Sequence, residues 1–266
     1  MHYQMWIWSK FENVIAHFLI AMMEELIILY YVLFYMFLLM YYHYNNIISY
    51  KEVAYMGKIK LLHGSDHIIE KPDLLLGKTN NDYGRGFYCT QELSMAMEWA
   101  CKKNSDGFVN KYVLEQDSLN ILNLLDGKYN ILHWMALLLK NRTFRLSNEI
   151  AIDACDYIIE NFSIDLKAYD VIIGYRADDS YFSFAESFVQ NGLPLRSLNE
   201  ALHLGRLGTQ TVLISEKSFR NLTFDGADFA DKTVYYPKFI ARDSNVRETY
   251  RREIRNRHSY KNDIFV

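Results

Sequence analysis

The residues whose types and spacing allow chemistry fall in three places along the 266-residue chain. His63 ends an apolar run and is followed by Gly64 and Ser65. Roughly twenty residues on comes Tyr83-Gly84-Arg85-Gly86-Phe87-Tyr88, and far downstream Arg176 follows the apolar Tyr169–Tyr175 while Gln210 opens Gln210–Ile214. A histidine can exchange hydrogen bonds near neutral pH, and a glycine lets a ligand reach the main chain. A tyrosine offers a flat face, and an arginine pairs with phosphate oxygens. Each also has a plainer reading: His63 as a satisfied structural histidine, Arg176 as the partner of Asp178 or Asp179. The Gly84-x-Gly86 pair lacks the βαβ setting of a dinucleotide fingerprint. His63 and His67 are four apart, but Gly64 and Ser65 disfavour the helix that would aim both at one metal, so no metal is expected.

Taken together, Leu61-Leu62-His63-Gly64-Ser65 and Tyr83-Gly84-Arg85-Gly86-Phe87-Tyr88 resemble two motifs of the diphtheria-toxin and poly(ADP-ribose) polymerase class of ADP-ribosyltransferases. Those motifs are His-Gly-Ser and Gly-x-Gly-(aromatic or aliphatic)-Tyr. The stretches 169–185 and 204–210 are similar to an uncharacterised bacterial family grouped with these enzymes, and the resemblance spans roughly residues 58–255. It implies an α+β fold with a split β-sheet core and helical insertions, and NAD⁺ as a substrate, without a metal. It further implies that His63 hydrogen-bonds ribose hydroxyls, that the Gly64 backbone pairs with the nicotinamide carboxamide and that Tyr88 stacks on the nicotinamide ring. His63, Tyr88 and Gln210 are then the catalytic set, and Ser65, Gly86 and Arg176 are further NAD⁺ contacts.

The class carries a Glu where this chain has Gln210. An amide can hydrogen-bond a ribose hydroxyl but brings no negative charge to an oxocarbenium-like transition state. Polymer extension is therefore disfavoured, whereas single transfer to a macromolecule or slow NAD⁺ hydrolysis fits. On this reading Gln210→Glu raises NAD⁺ cleavage, and Asp178, Asp179 and Glu186 are candidates for a substitute acid. The other class of these transferases carries a Glu two residues after a Gln or Glu, and position 212 is Val. By analogy with the family, the chain is a toxin of a toxin–antitoxin or phage-conflict system, with an antitoxin as partner and a protein or nucleic acid as acceptor. Two rivals stand beside this: a non-catalytic NAD⁺- or ADP-ribose-binding module, and a membrane-anchored interaction protein whose function lies in residues 1–55.

Short strand-like runs alternating with amphipathic stretches must position these residues. Strands are predicted at Lys58–Leu62, Phe108–Leu114, Leu119–Leu122, Tyr169–Tyr175 and Gln210–Ile214, and a loop at Lys71–Arg85. Thr90 can cap a helix with Leu93, Met97, Ala100 and Cys101 on one face. Further helices are predicted at Asn130–Lys140, Ser147–Asn161 and Ser180–Gln190. Ser197-Leu198-Asn199-Glu200 reads as a capping box opening a short helix that Gly205 or Gly208 ends. A basic helix is predicted over Arg242–Arg257, interleaved with Glu248 and Glu253. The domain then covers about 56–236, with a tail from 237 to 266.

The net charge of −3 marks neither a nucleic-acid binder nor a membrane-surface protein, although residues 238–266 carry eight Lys or Arg against four Asp or Glu. Three cysteines, Cys89, Cys101 and Cys155, make no CxxC pair and no disulfide framework, which points to a reducing, cytoplasmic setting. Cys155 reads as core; Cys89 reads as core or as a reactive thiol beside the motif. Residues 1–55 contain neither Gly nor Pro, and Leu26–Tyr42 is an unbroken apolar run. At 17 residues it falls short of the ~20 a spanning helix needs, and Glu24 and Glu25 abut it. The segment reads as a membrane anchor through residues 18–42, as an extension foreign to the working protein, or as a helix packed on the domain.

Overall fold

The computed structural model describes residues 34–36, 57–177, 179–202 and 209–255. The chain divides into two units, Met1–Met56 and Gly57–Val266. Of the first, only the helical residues 34–36 are described, so the rest of the anchor predicted at 18–42 lies outside the described residues. Among the described residues no helix is long and apolar enough to cross a membrane. The second unit is mixed α+β.

Among the described residues seven strands form two sheets. In one, β1 (Lys58–Ser65), β3 (Gly107–Glu115) and β7 (Leu222–Ala230) lie in the order β1-β3-β7, all antiparallel. The other holds β2 (Phe87–Cys89), β4 (Ile121–Asn123), β5 (Val171–Tyr175) and β6 (Thr209–Leu213) in the order β2-β6-β5-β4, with only β4 and β5 parallel. Strand β3 shows why the residues choose this form. Val109, Tyr112 and Leu114 are buried, and the step from 109 to 112 departs from a period of two where the β3–β7 register shifts between Asn110 and Tyr112. An isolated bridge, Leu62 with Thr90, joins the two sheets at the edge of β1.

The helices are α1 (Leu93–Ala100), α2 (Ile131–Asn141), α3 (Glu149–Phe162), α4 (Asp179–Val189), α5 (Leu195–Leu202), α6 (Glu216–Arg220) and α7 (Lys232–Thr249), the last continuing into a π-helical turn, Tyr250–Arg255. The largest core cluster gathers Trp134, Leu137 and Leu138 of α2, Cys155 of α3, Tyr181 and Phe184 of α4 and Leu198 of α5 around Ile172 and Val212. A second fills the space between the sheets with Leu61, Phe87, Tyr112, Val171 and Leu213. A third sets α1 on the first sheet through Met97, Ala100 and Val109.

Side chains cap α2 and α3: Asn130 Oδ1 accepts from Leu132 N at 3.0 Å and Asn148 Oδ1 from Ala151 N at 2.9 Å. The two caps predicted from the sequence do not form. Thr90 commits its backbone to the bridge with Leu62, so α1 starts after Glu92, with Leu93 42% exposed. Ser197 is buried inside α5 instead of capping it, because the helix already opens at Pro194, whose carbonyl takes Leu198 N at 3.0 Å. Gly205 and Gly208 lie outside the described residues. The basic helix begins ten residues earlier than its first arginine suggests, at Lys232, capped by Asp231 Oδ1 to Thr233 N at 2.7 Å. It carries across residues 236 and 237, where composition sets the start of the tail, and Arg242 pairs with the buried Glu98 of α1. Cys89 and Cys155 are both buried, and burial pushes the Cys89 thiol up, so it is a core residue and not a reactive one.

Trp134 is 1% exposed and stands edge-on to Tyr175, with ring centroids 6.3 Å apart. Trp134→Ala should cost about 3–5 kcal/mol, the range for emptying a buried aromatic site. A urea midpoint that stays at the wild-type value would show that this cluster does not hold the fold.

Candidate functional site

A cleft of about 580 Å³ is lined by His63, Gly64, Gly86, Tyr88, Arg176 and Gln210. Six of the seven predicted site residues thus meet in one place. Ser65 is the exception: its Oγ accepts from Asn110 Nδ2 at 2.9 Å and donates to the His67 carbonyl. Asn110 is fully buried and also takes Ile69 N on Oδ1 at 2.8 Å, so Ser65 belongs to the brace of the turn after β1 and not to the cleft wall.

The edge of β1 explains the cleft. Leu62 N and O both bond to Thr90, at 2.8 and 2.9 Å, so Leu62 faces away from β3. By the period of two the Gly64 N–H and C=O point the same way, toward the gap where the sheets part. A Cβ on Gly64 would lie 2.2 Å from the Ala96 carbonyl oxygen of α1, so only glycine lets the helix pack here.

His63 is half-buried. Its Nδ1 lies 2.7 Å from the Tyr88 carbonyl and its ring stacks on Phe87 with centroids 4.4 Å apart. A carbonyl only accepts, so Nδ1 carries the proton and Nε2 is left as an acceptor. Desolvation by burial lowers the pKa below the ordinary 6.5, and the Tyr88 carbonyl opposes this only in part. His63 is therefore neutral at neutral pH.

Tyr88 spends its hydroxyl on its own loop, donating to Gly84 O at 2.7 Å and accepting from Tyr83 N at 3.0 Å. Burial raises its phenol far above the usual range. Its contribution to a ligand is the ring face. The loop it pins turns at Gly84, whose φ of 77° is in the left-handed region.

Gln210 is 3% exposed. Its Nε2 donates to Asp82 Oδ2 at 3.1 Å and to the Tyr175 carbonyl at 3.0 Å, and two acceptors fix which end of the amide is nitrogen. Asp82 also accepts from Arg142 Nη1 at 2.8 Å and Ala177 N at 2.9 Å. The Tyr175 carbonyl further accepts from Tyr83 OH at 2.7 Å and Trp134 Nε1 at 3.2 Å. Arg176 is buried with its guanidinium 4.4 Å over the Trp99 ring.

Of the acids considered as substitutes, Glu186 holds Arg145 N on Oε1 at 3.2 Å and does not line the cleft. Asp178 and the side chain of Asp179 lie outside the described residues. The buried carboxylate at the cleft is Asp82, which sequence reasoning missed together with Arg142 and Trp99. Among the described residues no group of three or more His, Cys, Asp or Glu is placed to hold a metal ion.

A family model described as "Protein of unknown function (DUF3990)" matches residues 59–224. No curated protein and no solved structure matches the chain.

Two predictions follow from the hydrogen bonds. The position of Gln210 needs a donor, and Glu has none to give Asp82 or Tyr175 O while it adds a second carboxylate beside the first. Gln210→Glu should therefore cost about 1–3 kcal/mol in a denaturant titration and lower activity, the reverse of what the motif alone suggests. Wild-type stability in this variant would mean that the amide does not donate. For His63, a folded pKa held below 6.5 means that its contribution to stability is complete above about pH 6.5 and is lost as the pH falls below it. His63→Gln should flatten the fall in melting temperature between about pH 7 and pH 5. An equally steep fall in the variant would assign the acid sensitivity elsewhere.

Proposed function

We propose that this chain, which belongs to the family of unknown function DUF3990, is an NAD⁺-dependent mono-ADP-ribosyltransferase acting on a macromolecule. The observation that carries the reading is that His63, Gly64, Tyr88 and Gln210, far apart in sequence, line one cleft at the parting of two sheets. That parting is also what supports an ADP-ribosyltransferase-like split sheet.

In this reading the nicotinamide ring lies on the face of Tyr88, where an aromatic attracts a cation. Its carboxamide meets the Gly64 N–H and C=O, and His63 Nε2 and Gln210 Oε1 accept from ribose hydroxyls. Arg176 is the nearest buried cation for the pyrophosphate. The bond between C1″ and the nicotinamide nitrogen breaks with its electron pair leaving on nicotinamide, which becomes neutral. The positive charge passes to an oxocarbenium ion at C1″. A lone pair of the acceptor then bonds to C1″, and the acceptor's proton is lost to solvent. The family resemblance extends the proposal to a toxin in a toxin–antitoxin or phage-conflict system, with an antitoxin as partner.

A second reading, a non-catalytic NAD⁺- or ADP-ribose-binding module, is favoured by the uncharged amide at position 210. One experiment separates the two. The full chain is incubated with NAD⁺ labelled on the adenylate half and with cell lysate, and label on protein or nucleic acid is measured together with free nicotinamide. We expect both signals, and their loss in His63→Ala and Tyr88→Ala. NAD⁺ binding without nicotinamide release would establish the binder and end the transferase reading.

A further inference from the structure

We infer that Asp82 is the positioning residue of this site and supplies, through Gln210, the negative charge that the position of Gln210 lacks. The inference rests on the transferase reading above. Asp82 sits in the loop before Tyr83, with its side chain 12% exposed, and lines the same cleft. The other carboxylate on the cleft wall, Asp73, is exposed and caps a short 3₁₀ turn through Leu75 N at 2.8 Å. Only Asp82 reaches the amide.

The geometry around Asp82 is directional. Arg142 occupies Oδ1, whereas Ala177 N and Gln210 Nε2 share Oδ2. The guanidinium of Arg142, 4.5 Å over the Phe182 ring, is held on Oδ1, which leaves Oδ2 to Gln210 and Ala177 N. Both acceptors of Gln210, the carboxylate and Tyr175 O, lie at its nitrogen end. The amide therefore cannot flip without losing both hydrogen bonds, and Oε1 is held at the opposite end. A carboxylate at the N–H end of an amide polarises it and strengthens its oxygen as an acceptor. The part of the carboxylate's field that Arg142 does not offset also acts on a positive charge developing nearby. A carboxylate and an amide in series thus replace one Glu, with the charge set one residue back from the ribose.

The test compares D82N and D82N/Q210E with wild type in the full chain, reading kcat and KM for nicotinamide release and the Kd for ADP-ribose, at a temperature well below each melting point. We expect D82N to lower kcat about tenfold to a hundredfold while KM and the ADP-ribose Kd change less than about threefold, since an uncharged brace binds the ground state as well. In D82N/Q210E the amide introduced at position 82 can donate to the carboxylate introduced at position 210, which puts the charge on β6. Tyr175 O keeps its donors from Tyr83 and Trp134 and loses the one from position 210, and kcat should recover at least about fivefold over D82N. A merely structural brace would show no such rescue. D82N turnover within about twofold of wild type, or a double variant no faster than D82N, overturns the inference and leaves the transferase reading standing. No nicotinamide release by wild type overturns both. If D82N does not fold, the double variant alone decides: turnover within about tenfold of wild type supports the pair, and its absence overturns it.

Discussion

Two hydrogen bonds between Leu62 and Thr90 hold the sheets together at one point, and the cleft exists because the pairing stops there. Had β1 and β2 zipped one step further, Gly64 would pair with the neighbourhood of Tyr88 and no main-chain groups would face the gap. What prevents it is the side chain of His63, which takes the Tyr88 carbonyl on Nδ1 and puts a ring where a ladder would run. Phe87 stacks on that ring from the core side. The histidine is thus a wedge as well as a candidate ligand contact, and its burial is the reason for its neutrality.

The far wall depends on a single carbonyl. Tyr175 O, at the end of β5, accepts from Tyr83, Trp134 and Gln210, three side chains from three separate parts of the chain. A carbonyl has two lone pairs, so three donors converge only where the surrounding packing fixes each of them. Trp134 is locked in the main core and Tyr83 is fully buried, with a phenol pushed well above its usual range. The orientation of Gln210 is consequently a property of the core and not of the cleft surface.

How much of this was legible in the sequence follows from what kind of signal each residue leaves. His63, Tyr88 and Gln210 flank apolar runs and sit in motifs, and strands β1, β3, β5 and β6 announce themselves by buried alternation or continuous apolar character. Strand β7 did not, because LTFDGADFA keeps Phe229 60% exposed and sets Lys111 against Asp228 at 2.7 Å, so its pattern reads as loop. Helix α7 was seen only in its second half, since Pro237 in its early turns reads as a breaker. Asp82, in an Asn-Asn-Asp-Tyr-Gly stretch, carries the composition of a turn. Its partners Arg142, Ala177 and Gln210 stand 60, 95 and 128 residues away, a relation no local pattern encodes. Ser65 shows the opposite failure: it matches the motif by letter, yet Asn110, 45 residues on, takes its hydroxyl.

The distribution of charge around the cleft argues for the kind of ligand proposed. NAD⁺ is a cation at its nicotinamide end and an anion at its pyrophosphate. At the end formed by Gly64 and Tyr88, the neighbouring groups are a histidine kept neutral by burial, an aromatic face and an amide backed by a carboxylate, none of which repels a cation. In the proposed reaction a charged histidine there would oppose both a bound nicotinamide and the oxocarbenium ion that follows it, so desolvation of His63 works in the direction that proposal needs. The cations that line the same cleft are Arg176 on Trp99, Arg142 on Asp82, and Lys71 and Lys78 on the exposed loop after β1. A ligand that joins a cationic ring to a pyrophosphate, as proposed, meets both the neutral groups and the cations within this one cleft.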